Sequence, residues 1–157
     1  MGRELKLTEE QANLVQRLRE PYRLYRKIAE KREEAERYGE LAYSVPTVRK
    51  REGGVTGKRT DAAFAAWVIA KADTEREIQA LEPEMQRSIR ATMALLDMVE
   101  REKAREVLRE RYVLFRDWLK IAEEMNASMM SVFRWHRAGL DEIIGKSGGP
   151  RDVVTIC

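Results

Sequence analysis

Residues 101 to 144, REKAREVLRERYVLFRDWLKIAEEMNASMMSVFRWHRAGLDEII, carry three helical patterns in quick succession, and this density constrains the fold more than any other feature. Ala104, Val107, Leu108 and Tyr112 share one face of the first pattern, and Val113 to Arg116 connect it to the next. Asp117 is the expected cap of the second, whose inner side is Trp118, Ile121, Ala122 and Met125. Asn126 and Ala127 make the turn, where Asn tolerates the left-handed conformation better than most side chains. Ser128 then caps a third helix with Val132, Trp135, Leu140 and Ile143 or Ile144 facing inward. Each pattern is apolar on one side only, so the three must bury their stripes against one another. Small Ala122 allows the second and third helices to approach closely.

Upstream the spacing is also helical. Thr8 to Gln11 has the form of a capping box. Leu14, Leu18, Tyr22, Tyr25, Ile28 and Ala29 follow at three- to four-residue intervals, with a kink or restart expected at Pro21, which deletes a backbone donor. From Ser44 to Arg59 the pattern fails, and Pro46, Gly53, Gly54 and Gly57 punctuate a basic loop containing Arg49, Lys50, Arg51, Lys58 and Arg59. A second long helix is expected from Thr60 or Asp61 to about Glu100. Along it Trp67, Thr74, Leu81, Ser88 and Leu95 form one seven-residue series, and Ile78, Met85, Thr92 and Val99 form another. Lys71 falls on this seam, and Glu82 with Pro83 is where a fresh helix is expected to begin.

The fold class expected is therefore all-α, with an antiparallel, coiled-coil-like helical hairpin followed by a C-terminal helix-turn-helix. Its divisions are 8–100 for the hairpin or oligomerisation region, 101–144 for the helix-turn-helix and 145–157 for a breaker-rich tail. Charged residues make up 36% of the chain and aromatic residues 7%, as suits long solvated helices. The single Cys, Cys157, excludes an intrachain disulfide framework. No stretch reads as a signal peptide or a membrane span, so a cytoplasmic protein with no membrane partner is expected. Catalytic machinery is not expected either. Gly53-Gly54 lacks the context of a phosphate loop, the only His cannot build a metal site, and the carboxylates alternate with Lys and Arg. Neither cofactor nor metal is expected.

The run from Arg105 to Leu140 resembles region 4 of the sigma factors in Arg111-Tyr112, Trp118, Ile121-Ala122, Asn126-Ala127-Ser128, Val132, His136 and Leu140. With the upstream helices included, residues 10 to 145 resemble the small phage proteins grouped with the RinA and ArpU late transcription regulators. The resemblance implies a phage-encoded activator that binds double-stranded DNA at a promoter and touches RNA polymerase. It departs from the sigma pattern at Asn126, where Gly is usual, and at Met129 and Met130, where charged base readers are common.

The expected DNA contacts are Ser128, Met129, Met130, Ser131, Phe133, Arg134 and Arg137 on the third helix. Arg49, Lys50, Arg51, Lys58 and Arg59 would add a sequence-independent grip on phosphate. Arg134 and Arg137, three residues apart, project from one side, whereas Met cannot donate the paired hydrogen bonds that discriminate base edges. Arg105, Arg109, Arg111 and Arg116 either line the DNA backbone or pair with neighbouring Glu residues. A homodimer is expected from the heptad seam. The alternatives are a protein-interaction module that docks through Met129-Met130 on polymerase, a sigma factor or a phage protein, and a DNA-packaging component of the small-terminase kind.

Overall fold

The computed structural model describes residues 6–44 and 55–147, the side chains of 55–60 excepted. The fold is all-helical, with α1 (Glu9–Leu18), α2 (Glu20–Ser44), α3 (Val55–Leu96), α4 (Glu102–Tyr112), α5 (Trp118–Met125) and α6 (Met129–Ser147), and there is no strand among the described residues.

The capping box of α1 is complete: Thr8 Oγ1 accepts from the Gln11 amide at 3.1 Å, and Gln11 Oε1 accepts from the Thr8 amide at 3.0 Å. The other end of the Gln11 amide donates to Asp141 Oδ1 on α6 at 2.7 Å. One side chain thus both starts α1 and docks it. The helix stops at Leu18, Arg19 forms the turn, and α2 restarts at Glu20. Pro21 sits buried in the first turn of α2, where its missing donor is no loss.

Two expectations for α3 are corrected. It begins at Val55, so Lys58 and Arg59 are helical, not loop residues, and Thr60 and Asp61 are not its cap. It also runs through Pro83 without a break to Leu96. Leu81 and Met85 anchor both sides of the proline in a core, while Gln79 and Pro83 are exposed, so water meets the carbonyl that the proline leaves without a donor.

The described residues divide into two compact units, Leu24–Met85 on the one hand and the residues up to Arg23 with those from Gln86 on the other. The sequence grouping of 8–100 does not follow this division, because Leu14 and Leu18 of α1 pack with residues of α4 and α6. In the Leu24–Met85 unit, Leu24, Ile28, Ile78 and Leu81 form the core. Arg32 pairs with Glu82 at 2.8 Å, Lys31 with Glu77 at 2.9 Å, and Tyr38 stacks on Trp67 at 5.7 Å. The heptad positions Thr74, Ile78 and Leu81 are buried, and the Thr74 hydroxyl is satisfied by the Ala70 carbonyl at 3.0 Å. The stem of Lys71 runs past Gly39, where a Cβ would lie 3.6 Å from it, in ordinary van der Waals contact.

In the other unit, Leu14, Leu18, Leu96, Val99, Ala104, Leu108, Tyr112, Leu140 and Ile143 form one core. Val107, Ile121, Ala122 and Val132 form a second. Among the described residues no helix is long and apolar enough to cross a membrane.

Candidate nucleic-acid interface

The geometry of α4 to α6 follows from local chemistry at each junction. Asp117 Oδ1 accepts from the Lys120 amide at 2.8 Å and starts α5. Asn126 ends it in the left-handed conformation, at φ 56° and ψ 44°, and the Ala127 amide donates back to the Ala122 carbonyl at 3.0 Å. Ser128 Oγ then accepts from the Ser131 amide at 3.1 Å, starting α6 three residues after α5 stops. The connection before α5 contains a second left-handed residue, Phe115 at φ 59°, which costs an aromatic side chain some strain. Its ring meets the edge of Tyr22 at 5.3 Å, which holds the loop against the start of α2.

α6 crosses α4 at Gly139. A Cβ at Gly139 would lie 2.7 Å from Leu108 Cδ1 and 3.4 Å from Ala104 Cβ, so the two helices touch backbone to side chain. Close by, the Tyr112 hydroxyl and His136 Nε2 form a buried hydrogen bond of 2.7 Å. Trp118 closes over this pair, edge-on to His136 at 4.8 Å and to Phe133 at 5.3 Å. Burial, reinforced by the charges of Arg111 and Arg137, pushes the His136 imidazole down to about 3, so the ring is neutral. Burial pushes the Tyr112 phenol up, so its hydroxyl stays protonated.

With Val132, Phe133, His136, Gly139, Leu140 and Ile143 buried, the outward stripe of α6 is Met130, Arg134, Arg137 and Asp141. Met130 is 71% exposed and Arg134 is exposed, while Arg137 is half-buried. Met129 is half-buried against the core of Val107, Ile121, Ala122 and Val132. Ser128 and Ser131 bond to each other through their hydroxyls at 3.1 Å. Phe133 is a correction: only 5% exposed and packed on Trp118, it belongs to the interior and not to a contact surface. Arg49, Lys50 and Arg51 lie outside the described residues, as do the side chains of Lys58 and Arg59.

The arginines of α4 and the following loop also separate. Arg116 pairs with Glu110 at 3.1 Å and Glu124 at 2.6 Å, so it is committed to carboxylates. Desolvation pushes the Glu110 carboxyl up, and Arg116 opposes that shift. Arg105 donates to the Val99 carbonyl at 3.1 Å. Arg111 stacks over Trp118 at 4.5 Å and donates from Nη1 to the Arg116 carbonyl at 3.0 Å. The sequence reading missed Gly139, because what matters about it is a neighbour far away in the chain. Among the described residues no group of His, Cys, Asp and Glu is arranged to hold a metal ion.

No protein-family model matches the chain, and no curated protein or solved structure is significantly similar to it.

Proposed function

We propose that this chain is a DNA-binding transcription regulator in which α2 and α3 form an antiparallel helical hairpin, α4 to α6 form a helix-turn-helix, and α6 enters the major groove. The observation that carries the reading is the outward stripe of α6. Met130, Arg134 and Arg137 stand opposite a buried stripe, immediately after a tight turn with left-handed Asn126. Two guanidinium groups on one helical face supply the donors that read guanine edges and hold phosphates, and Met130 offers an apolar contact to thymine methyls. The resemblance to the RinA and ArpU regulators extends the proposal to a phage late-gene activator, acting as a homodimer in the cytoplasm and touching RNA polymerase at a promoter.

Selection from a random duplex library at near-physiological salt, followed by sequencing of the retained DNA, tests the reading. An enriched motif is expected. Arg134→Ala and Arg137→Ala should each weaken binding to that motif by about tenfold, with no change in thermal unfolding. Unchanged affinity in both variants would remove α6 from the interface.

A second reading is favoured by Met130, which at 71% exposure is the most exposed large apolar side chain of α6. In it the stripe docks on a protein such as RNA polymerase. Met130→Glu should then abolish capture of purified polymerase and leave DNA retention intact. Met129 is unsuitable for this test, since it packs into the core beside Val132. A ring-sized oligomer in solution would instead point to a DNA-packaging component.

A further inference from the structure

The heptad positions of α3 face into its own unit: Trp67 stacks on Tyr38, and Thr74, Ile78 and Leu81 are buried. They are therefore not open to a second copy. At about 3.6 residues per turn, Asp61, Ala65, Val68, Ile69, Ala72 and Arg76 share a stripe on the other side of the helix. Val68 is 43% exposed and Ile69 59%, with Ala65 exposed and Ala72 half-buried. From Ala62 to Ala72 the only charged residue is Lys71, whereas Asp73, Glu75, Arg76 and Glu77 follow in close order. A stretch of helix that is apolar on all sides belongs in an interior, yet this one leaves Val68 and Ile69 to water.

The stripe is complementary to itself. When two copies of a helix pair antiparallel about a two-fold axis, residue numbers rise along one as they fall along the other. With the axis between Val68 and Ile69, Val68 faces the partner's Ile69, Ala65 faces the partner's Ala72, and Asp61 faces the partner's Arg76. All six positions lie on the same stripe. The charges select both direction and register. Parallel copies would set Asp61 against the partner's Asp61 and Arg76 against the partner's Arg76. Sliding the antiparallel pair by one residue would set Asp61 against the partner's Glu75 in one direction and the partner's Glu77 in the other. Small Ala65 and Ala72 let the two helix axes approach closely. Arg76 is bonded to Asp73 at 2.6 Å with its side chain 71% exposed, so it remains within reach of a second carboxylate.

We propose that this stripe is the contact between two copies of the chain, α3 against α3 in antiparallel order. The inference rests on the homodimer in the reading given above, for which it names the surface, and it is independent of where DNA binds. Such a contact uses the same patch on both copies and closes at two. Its apolar middle is short, so the affinity should be modest, in about the micromolar range.

Sedimentation equilibrium of the full chain between about 1 and 100 µM tests it, and the parent should be dimeric at the upper end. Ile69→Glu places a carboxylate in the apolar middle, at a side chain already 59% exposed. It should weaken association more than about thirtyfold, with helical content unchanged. Asp61→Arg and Arg76→Asp should each weaken association about tenfold, because each meets a like charge twice across the two-fold axis. Together they exchange the ion pair and should restore association to within about threefold of the parent. A parent that is monomeric at about 100 µM would overturn the contact and the homodimer together, leaving the DNA-binding reading in place. A dimer that survives Ile69→Glu would overturn the contact and leave the homodimer. Failure of the double variant to recover, or an assembly larger than two, would overturn the antiparallel pairing.

Discussion

Valine at Gly139 is expected to lower stability by about 3 kcal/mol, at the upper end of what overpacking a closed core costs. A single methyl at this position already falls 2.7 Å from Leu108 Cδ1 and 3.2 Å from Leu108 Cγ. Leu108 cannot swing away cheaply, because it is fully buried within the core shared with Leu18, Tyr112 and Leu140. Alanine gains up to about 1 kcal/mol in helix propensity over glycine, which offsets part of its clash. Valine has weaker helix propensity than alanine and brings two more methyl groups into the same crossing. Urea unfolding should therefore rank the parent, Gly139→Ala and Gly139→Val in falling order. Leu108→Ala alone should cost about 2–5 kcal/mol through the cavity it leaves. Combined with Gly139→Val, it should cost clearly less than the sum, since the new side chain fills the space vacated. Additive costs would mean that α4 and α6 do not meet at this point.

The same crossing shows where the sequence was legible and where it was not. The caps Thr8, Asp117 and Ser128 and the left-handed Asn126 were readable, because each acts within three or four residues of itself. The heptad positions were readable too, since Thr74, Ile78 and Leu81 do lie inward. Gly139 leaves no local signal, and only the approach of Leu108, from another helix, gives it a purpose. Docking of α1 on α6 was equally hidden: Gln11 completes a local capping box and also bonds Asp141 across most of the chain, and only the first role leaves a pattern. Pro83 misled for a related reason. Its local effect is to break a helix, yet the core on both sides of it outweighs one lost hydrogen bond. Phe133 is expected from the sequence as an apolar contact on the surface, whereas Trp118 draws it inside. Of the candidate interface, the Arg134 and Arg137 pair could be read from spacing alone; the stacking of Arg111 on Trp118 could not, because it exists only in the fold.

Acid should weaken this fold before the carboxylates begin to titrate, and His136 should be the cause. It is 1% exposed, bonded through Nε2 to the Tyr112 hydroxyl, with Nδ1 buried and without a hydrogen-bond partner. Arg111 and Tyr112 on α4, Trp118 on α5 and Arg137 on α6 surround it, so a proton on the ring would have no counter-charge among the groups that hold it. The folded protein keeps the ring neutral down to about pH 3, whereas an unfolded chain takes up a proton near pH 6.5. Between those limits the unfolded state binds more protons, so stability is full above about 6.5 and falls as the pH falls. At pH 5 the loss should approach about 2 kcal/mol, at 1.36 kcal/mol for each unit below 6.5. Glu110 works in the opposite direction, since its raised pKa means that acid relieves a cost of burial, and it trims that loss. The chain has a single His, so no other imidazole contributes in this window. Urea unfolding at pH 7, 6 and 5 measures the slope directly, and His136→Gln should flatten it while keeping a polar partner for Tyr112. A variant that retains the full slope would assign the acid sensitivity elsewhere; a parent protein equally stable at pH 7 and pH 5 would mean that the ring reaches water and that the α4–α6 crossing is looser than its packing requires.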